Sequence, residues 1–165
     1  MRALSMMKHA VVAFSAVALT GCATVPQRDG LPRIHYAQNA SIGGLTAATT
    51  RRPTEADVRE SETLWKRGLG EALACRQPRL EVVRTAIAGA VELATMSAVA
   101  RDGDGRVDDA LLKRYGRDLL GNLLSSGPRP GAARCRMVDR WSVQVRADGQ
   151  EAIGRAISKG LLPLL

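Results

Sequence analysis

The chain has 165 residues, 45% of them hydrophobic and 3% aromatic, and carries a formal net charge of +8. That is enough for one domain of ordinary size and too little for several. Two Trp, two Tyr and one Phe are all the aromatic residues it has, which speaks against an aromatic-lined sugar groove.

The first element is a leader. Met1 to Ala10 carries Arg2 and Lys8 and no acid; Ala10 to Leu19 is apolar; the small Gly21 then precedes Cys22. Basic start, apolar run and small residue, in that order, are the pattern of a secretory signal peptide. The apolar run falls short of the about 20 residues that span a bilayer.

Leu19-Thr20-Gly21-Cys22 resembles the lipobox of bacterial lipoproteins, and the resemblance covers residues 1–22 only. It implies that residues 1–21 are removed, that the Cys22 thiol receives a diacylglyceryl group and that the new amino terminus is acylated. Cys22 would then be the first mature residue and the lipid anchor. Ala23 stands where an aspartate would retain such a protein in the inner membrane. The resemblance therefore implies an outer-membrane protein facing the periplasm. Each buried methylene contributes about 0.8 kcal/mol, so one chain holds marginally and two or more hold firmly.

Loss of Arg2 and Lys8 with the leader takes the net charge from +8 to +6. Nucleic acid is not an expected partner for an exported chain; anionic lipid, lipopolysaccharide or cell-wall polymer suits the charge better. With Cys22 lipidated, Cys75 and Cys135 are the remaining thiols. An oxidising compartment joins such a pair, and the bridge stabilises by about 4 kcal/mol on the chain-entropy model. No C-x-x-C pair exists to support a thioredoxin-like redox role.

Residues 22–53 read as a lipid-anchored flexible tether. They contain Pro26, Pro32, Pro53, Gly30, Gly43 and Gly44 and no sustained apolar period. Thirty such residues reach at most about 100 Å and average about 30 Å as a coil. The patch Ile34-His35-Tyr36, with Ile42, is a candidate for docking on the domain, which the sequence leaves open.

Residues 54–165 are expected to form a mostly α domain: a small bundle of about four helices stapled by one disulfide. Thr54 with Asp57 resembles a capping box, and Val58, Trp65, Leu69 and Ala72 then recur near the helical period. Pro78 ends that helix. Arg79 to Ala100 is apolar enough to be a central buried helix, with Leu80, Val83, Ile87, Val91 and Ala94 along one side. Ala86, Ala90, Ala94 and Ala98 form a small-residue stripe. Glu81, Thr85, Glu92 and Thr95 form its one polar strip, expected at the edge. Asp108 and Asp109 open a third helix with Leu112, Tyr115, Leu119, Leu120, Leu123 and Leu124 as its apolar face. Ser125 to Gly131 is a break. Trp141, Val143 and Val145 alternate with polar residues, which predicts a short extended piece. Asp148-Gly-Gln-Glu151 is a second capping pattern, before Ile153, Ile157 and Leu161 in a fourth helix.

The chemistry in this domain is sparse. His9 leaves with the leader and His35 lies in the tether, so no imidazole is left for a Ser-His-Asp triad, a Cys-His dyad or a His-rich zinc site. Glu92 is the one acid whose burial in an apolar helix would raise its pKa. Asp102, Asp104 and Asp108, with Gly105 between, resemble the middle of an EF-hand calcium loop, as a degenerate EF-hand-like turn. Ala100 and Leu111 stand where the loop needs its first and last ligands, so the cage does not close. The expectation is a non-enzyme without catalytic residues, metal or cofactor: an envelope lipoprotein that is an accessory to, or binds, another envelope protein or cell-wall component. The alternatives are a periplasmic inhibitor or immunity protein against a toxin or hydrolase, and a calcium-binding module.

Overall fold

Four α-helices and one short 3-10 turn make up the fold in a computed structural model that describes residues 29–37, 52–103, 106–124, 127–151 and 154. Helix α1 (Glu55–Ala74) starts at the expected box: the Thr54 hydroxyl accepts from Asp57 N at 3.2 Å, and the Asp57 carboxylate accepts from Thr54 N at 2.7 Å. Both groups satisfy amides that a helix start leaves without partners. Val58, Trp65, Gly68, Leu69 and Ala72 are its buried residues. After Cys75, Arg76 takes the left-handed φ of 63°, and the amides of Arg76 and Gln77 return to the carbonyls of Leu73 and Ala72. This turn closes α1 and delivers Pro78 as the N-cap of α2 (Arg79–Asp102).

Helix α2 is the centre of the fold. Every residue from Thr85 to Met96 is buried. It is long and apolar enough to cross a membrane, yet 83% of its apolar window is buried within the fold, as in the core helix of a globular domain. The four alanines of the small stripe are all fully buried. Between them, Gly89 admits the Trp65 ring so closely that a Cβ there would sit 2.5 Å from it. The expected one-sided apolar face is corrected at its start: Leu80 is 57% exposed, and Val82 takes the buried place. The edge position expected for the polar strip is corrected too, since Thr85, Glu92 and Thr95 are all buried. The threonines manage this by donating to their own helix, to Glu81 O and Val91 O, each at 2.8 Å.

Helix α3 (Asp109–Gly121) is capped by the Asp108 carboxylate, which accepts from Leu111 N at 2.7 Å. Leu112, Tyr115 and Leu119 are buried as expected, but Leu124 ends the 3-10 turn Asn122–Leu124 at 92% exposure. The Asn122 amide donates to Lys66 O at 3.0 Å and ties that turn to α1.

Helix α4 (Ala132–Asp148) replaces the extended piece expected around Trp141. Val138, Trp141, Ser142 and Val145 are its buried residues, at helical spacing, while Val143 is 59% exposed. The alternation Trp141, Val143, Val145 was a coincidence of one exposed valine between two inward residues. Residues 150, 151 and 154 are helical; Ile153, Ile157 and Leu161 lie outside the described residues. The Cys75–Cys135 disulfide joins the end of α1 to the first turn of α4, with a Cα–Cα distance of 5.5 Å.

The tether expected over 22–53 is corrected at two places. Leu31, Ile34, Tyr36 and Ala37 belong to the buried core. Arg52 donates to the carbonyls of Val99, Ala100 and Arg101, and Pro53 is buried. The folded unit therefore includes residues 29–37, an irregular segment that turns helical at Tyr36 and Ala37 and is too short to show a period.

Candidate functional site

The strip from Asp29 to Ala37 lies along α4 with the same direction. Arg134 donates to Asp29 O at 2.5 Å; Trp141 Nε1 donates to Pro32 O; Ile34 lies beside Gly149. Leu31 packs into the notch left by Gly68, where a Cβ would stand 2.8 Å from Trp141 and 3.3 Å from Leu31. Arg134 also pairs with Glu71 of α1 at 2.7 Å, so one guanidinium holds the strip and α1 together.

The strip ends on Glu92. Its Oε1 accepts from His35 N and Tyr36 N, both at 2.9 Å, and its Oε2 accepts from Ala37 N at 2.7 Å. Three successive amides converge on one carboxyl from residues 55 to 57 positions away. The residue is 2% exposed. Burial is the largest influence on its pKa and pushes it up to about 7, against the three amides, which favour the ionised form. Both oxygens are committed to the chain's own backbone, so the arrangement clamps the N-terminal strip to the central helix.

The other sequence-derived residues are dispersed. Cys22 lies outside the described residues, as does Asp104. Asp102 and Asp108 are brought near each other, but around an arginine: Arg101 meets Asp102 at 2.7 Å and Asp108 at 3.7 Å. Asp108 is also engaged as the cap of α3. Among the described residues no group of three His, Cys, Asp or Glu side chains is placed to hold a metal ion. Sequence reasoning missed the amides of His35, Tyr36 and Ala37; the apolar Ile34-His35-Tyr36 patch was their only signal. The chain matches no family model, no curated protein and no solved structure.

Proposed function

We propose that the protein is a non-enzymatic lipoprotein of the bacterial envelope, anchored through Cys22 in the outer membrane and facing the periplasm, where it serves another envelope component as an accessory or binding protein. Leu19-Thr20-Gly21-Cys22, following a basic start and an apolar run, carries this reading. The Cys75–Cys135 bond supports it, since such bonds persist in oxidising compartments. So does the short reach from anchor to fold. Seven steps separate Cys22 from Asp29, which is about 25 Å at full extension. A domain held that near a leaflet meets partners in the same membrane at raised effective concentration.

Growth with labelled palmitate tests the anchor: the wild-type protein incorporates the label and Cys22→Ala does not. Equal labelling of the two would overturn the reading. Crosslinking in intact envelopes followed by affinity capture tests the role. Recovery of an envelope protein or cell-wall component supports an accessory; recovery of an incoming toxin or hydrolase would replace it with an inhibitor.

A further inference from the structure

The molecule is electrically polar along its helices. The disulfide, together with the 2.8 Å bond from Gln77 Nε2 to Asp139, gathers the end of α1, the start of α2 and the start of α4 at one end. Arg76 and Arg79 flank Gln77 there; Arg129, Arg136 and Arg140 precede and line α4. All five are exposed, and none makes an ion pair or a side-chain hydrogen bond with the described residues. Two of the acids at this end are paired, Glu71 with Arg134 and Glu81 with Arg84 and Arg146; Asp139 is hydrogen-bonded to the neutral Gln77 and keeps its charge, which the five arginines outnumber. Neither α2 nor α4 has a side-chain cap at its start, so two helix dipoles add to the positive potential. At the opposite end, Glu55, Asp57, Asp102, Asp108 and Asp109 mark the start of α1, the end of α2 and the start of α3. Arg52, Arg59 and Arg101 lie among them and are engaged, and Arg106 stands between Asp102 and Asp108 in the chain, so charges of the two signs nearly balance at this end.

Two further observations say what covers the arginine end. Three large hydrophobic residues are exposed among the described ones, and two of them border it: Leu80 next to Arg79, and Val143 one turn beyond Arg140. Basic residues with apolar ones beside them suit a headgroup layer over hydrocarbon. The chain from Cys22 also enters at this end, because Asp29 is held by Arg134 in the first turn of α4.

We propose that the disulfide end of the domain is a docking surface for an anionic phospholipid leaflet, with Arg76, Arg79, Arg129, Arg136 and Arg140 contacting headgroup phosphates. This rests on the lipid-anchored reading, which brings the leaflet within reach. The anchor holds the protein at the membrane and the arginines set which end faces it. The opposite end, with the starts of α1 and α3, is then turned toward the periplasm and its partners.

The test uses the mature protein purified from membranes, reconstituted with phosphatidylcholine vesicles or with an equal mixture of phosphatidylcholine and phosphatidylglycerol. Flotation reads the anchor. Modification of arginines by phenylglyoxal, located by mass spectrometry, reads the orientation, with Arg59 at the other end as control. The expected result is flotation on both vesicles, with about a fivefold or greater fall in modification of Arg76, Arg79, Arg136 and Arg140 on the mixed vesicles only. Arg59 is unchanged, and high salt reverses the protection. Arg136→Gln with Arg140→Gln relieves the protection of Arg76 and Arg79 without altering the fold. Flotation on both with equal modification overturns the docking surface while leaving the anchor standing, as an arginine end meant for an acidic protein would give. Flotation on the mixed vesicles only, with protection, supports the surface and removes the anchor; flotation on neither removes both.

Discussion

Glu92 makes stability depend on pH in a direction opposite to that of most carboxylates. Its pKa is 4.5 when unfolded and about 7 in the fold, because burial outweighs three amide donors. Between those values the folded chain holds a proton that the unfolded chain has released. The stabilisation from this proton is therefore fully present below about 4.5 and is lost as the pH rises through about 7. Moving a carboxyl from 4.5 to about 7 corresponds to about 3 kcal/mol. Guanidinium unfolding at about pH 5 and about pH 8, followed by the fluorescence of Trp65 and Trp141, measures it. Trp141 is well placed as a reporter because its indole N–H donates to Pro32 O of the docked strip. Glu92→Gln is the reference. It cannot ionise, and its amide group meets Ala37 N with a second donor, so it starts lower but stays flat in this window. Groups that titrate in both proteins cancel in the difference. Wild type should lose about 2–3 kcal/mol more than Glu92→Gln between the two conditions, slightly less than the full shift because pH 5 already lies above 4.5. An equal loss, or a gain by wild type, would refute the reasoning and mean that the amides, not burial, dominate. Glu92→Ala should be worse at either pH, since three buried amides without an acceptor cost about 1–3 kcal/mol each.

Three variants probe the packing and the disulfide. Gly89→Ala would raise helix propensity by about 1 kcal/mol in an open site. Here its Cβ meets Trp65 at 2.5 Å, so calorimetry should show a net loss of about 1–3 kcal/mol; a rise in Tm would mean Trp65 moves freely. Leu31→Ala, at a residue with no exposed surface, should cost about 2–5 kcal/mol and speed proteolysis between residues 29 and 37; an effect under about 1 kcal/mol would show that the strip is not part of the core. Cys75→Ser with Cys135→Ser should lower stability by about 4 kcal/mol in denaturant unfolding, and no change would mean that the reduced unfolded chain is already compact there.

Much of the fold is legible in the sequence because helices announce themselves locally. The Thr54–Asp57 box, the Val58-Trp65-Leu69-Ala72 stripe and the Asp108 cap each depend on residues within one or two turns, and each is found in place. Helix α4 was obscured by its composition. Its polar background is arginine-rich, and the exposed Val143 sits between Trp141 and Val145, so a period of two masked the spacing of Val138, Trp141, Ser142 and Val145. The clamp at Glu92 was not legible for a different reason. Its partners are backbone amides more than fifty positions away, and amides carry no sequence signature. A polar strip on an apolar helix ordinarily faces water; here Thr85 and Thr95 bond their own helix, and residues 35–37 take the place of water at Glu92. The strip itself, about one decade of chain without a period, is too short for any pattern to reveal.

The central claim is that fatty chains on Cys22 hold this domain at a membrane outside the cytosol. Mass spectrometry of the amino-terminal peptide from the native protein tests it most directly. The account predicts a terminus at Cys22 bearing a diacylglyceryl group and an acylated amine. An intact Met1 terminus, or an unmodified thiol at Cys22, would contradict it.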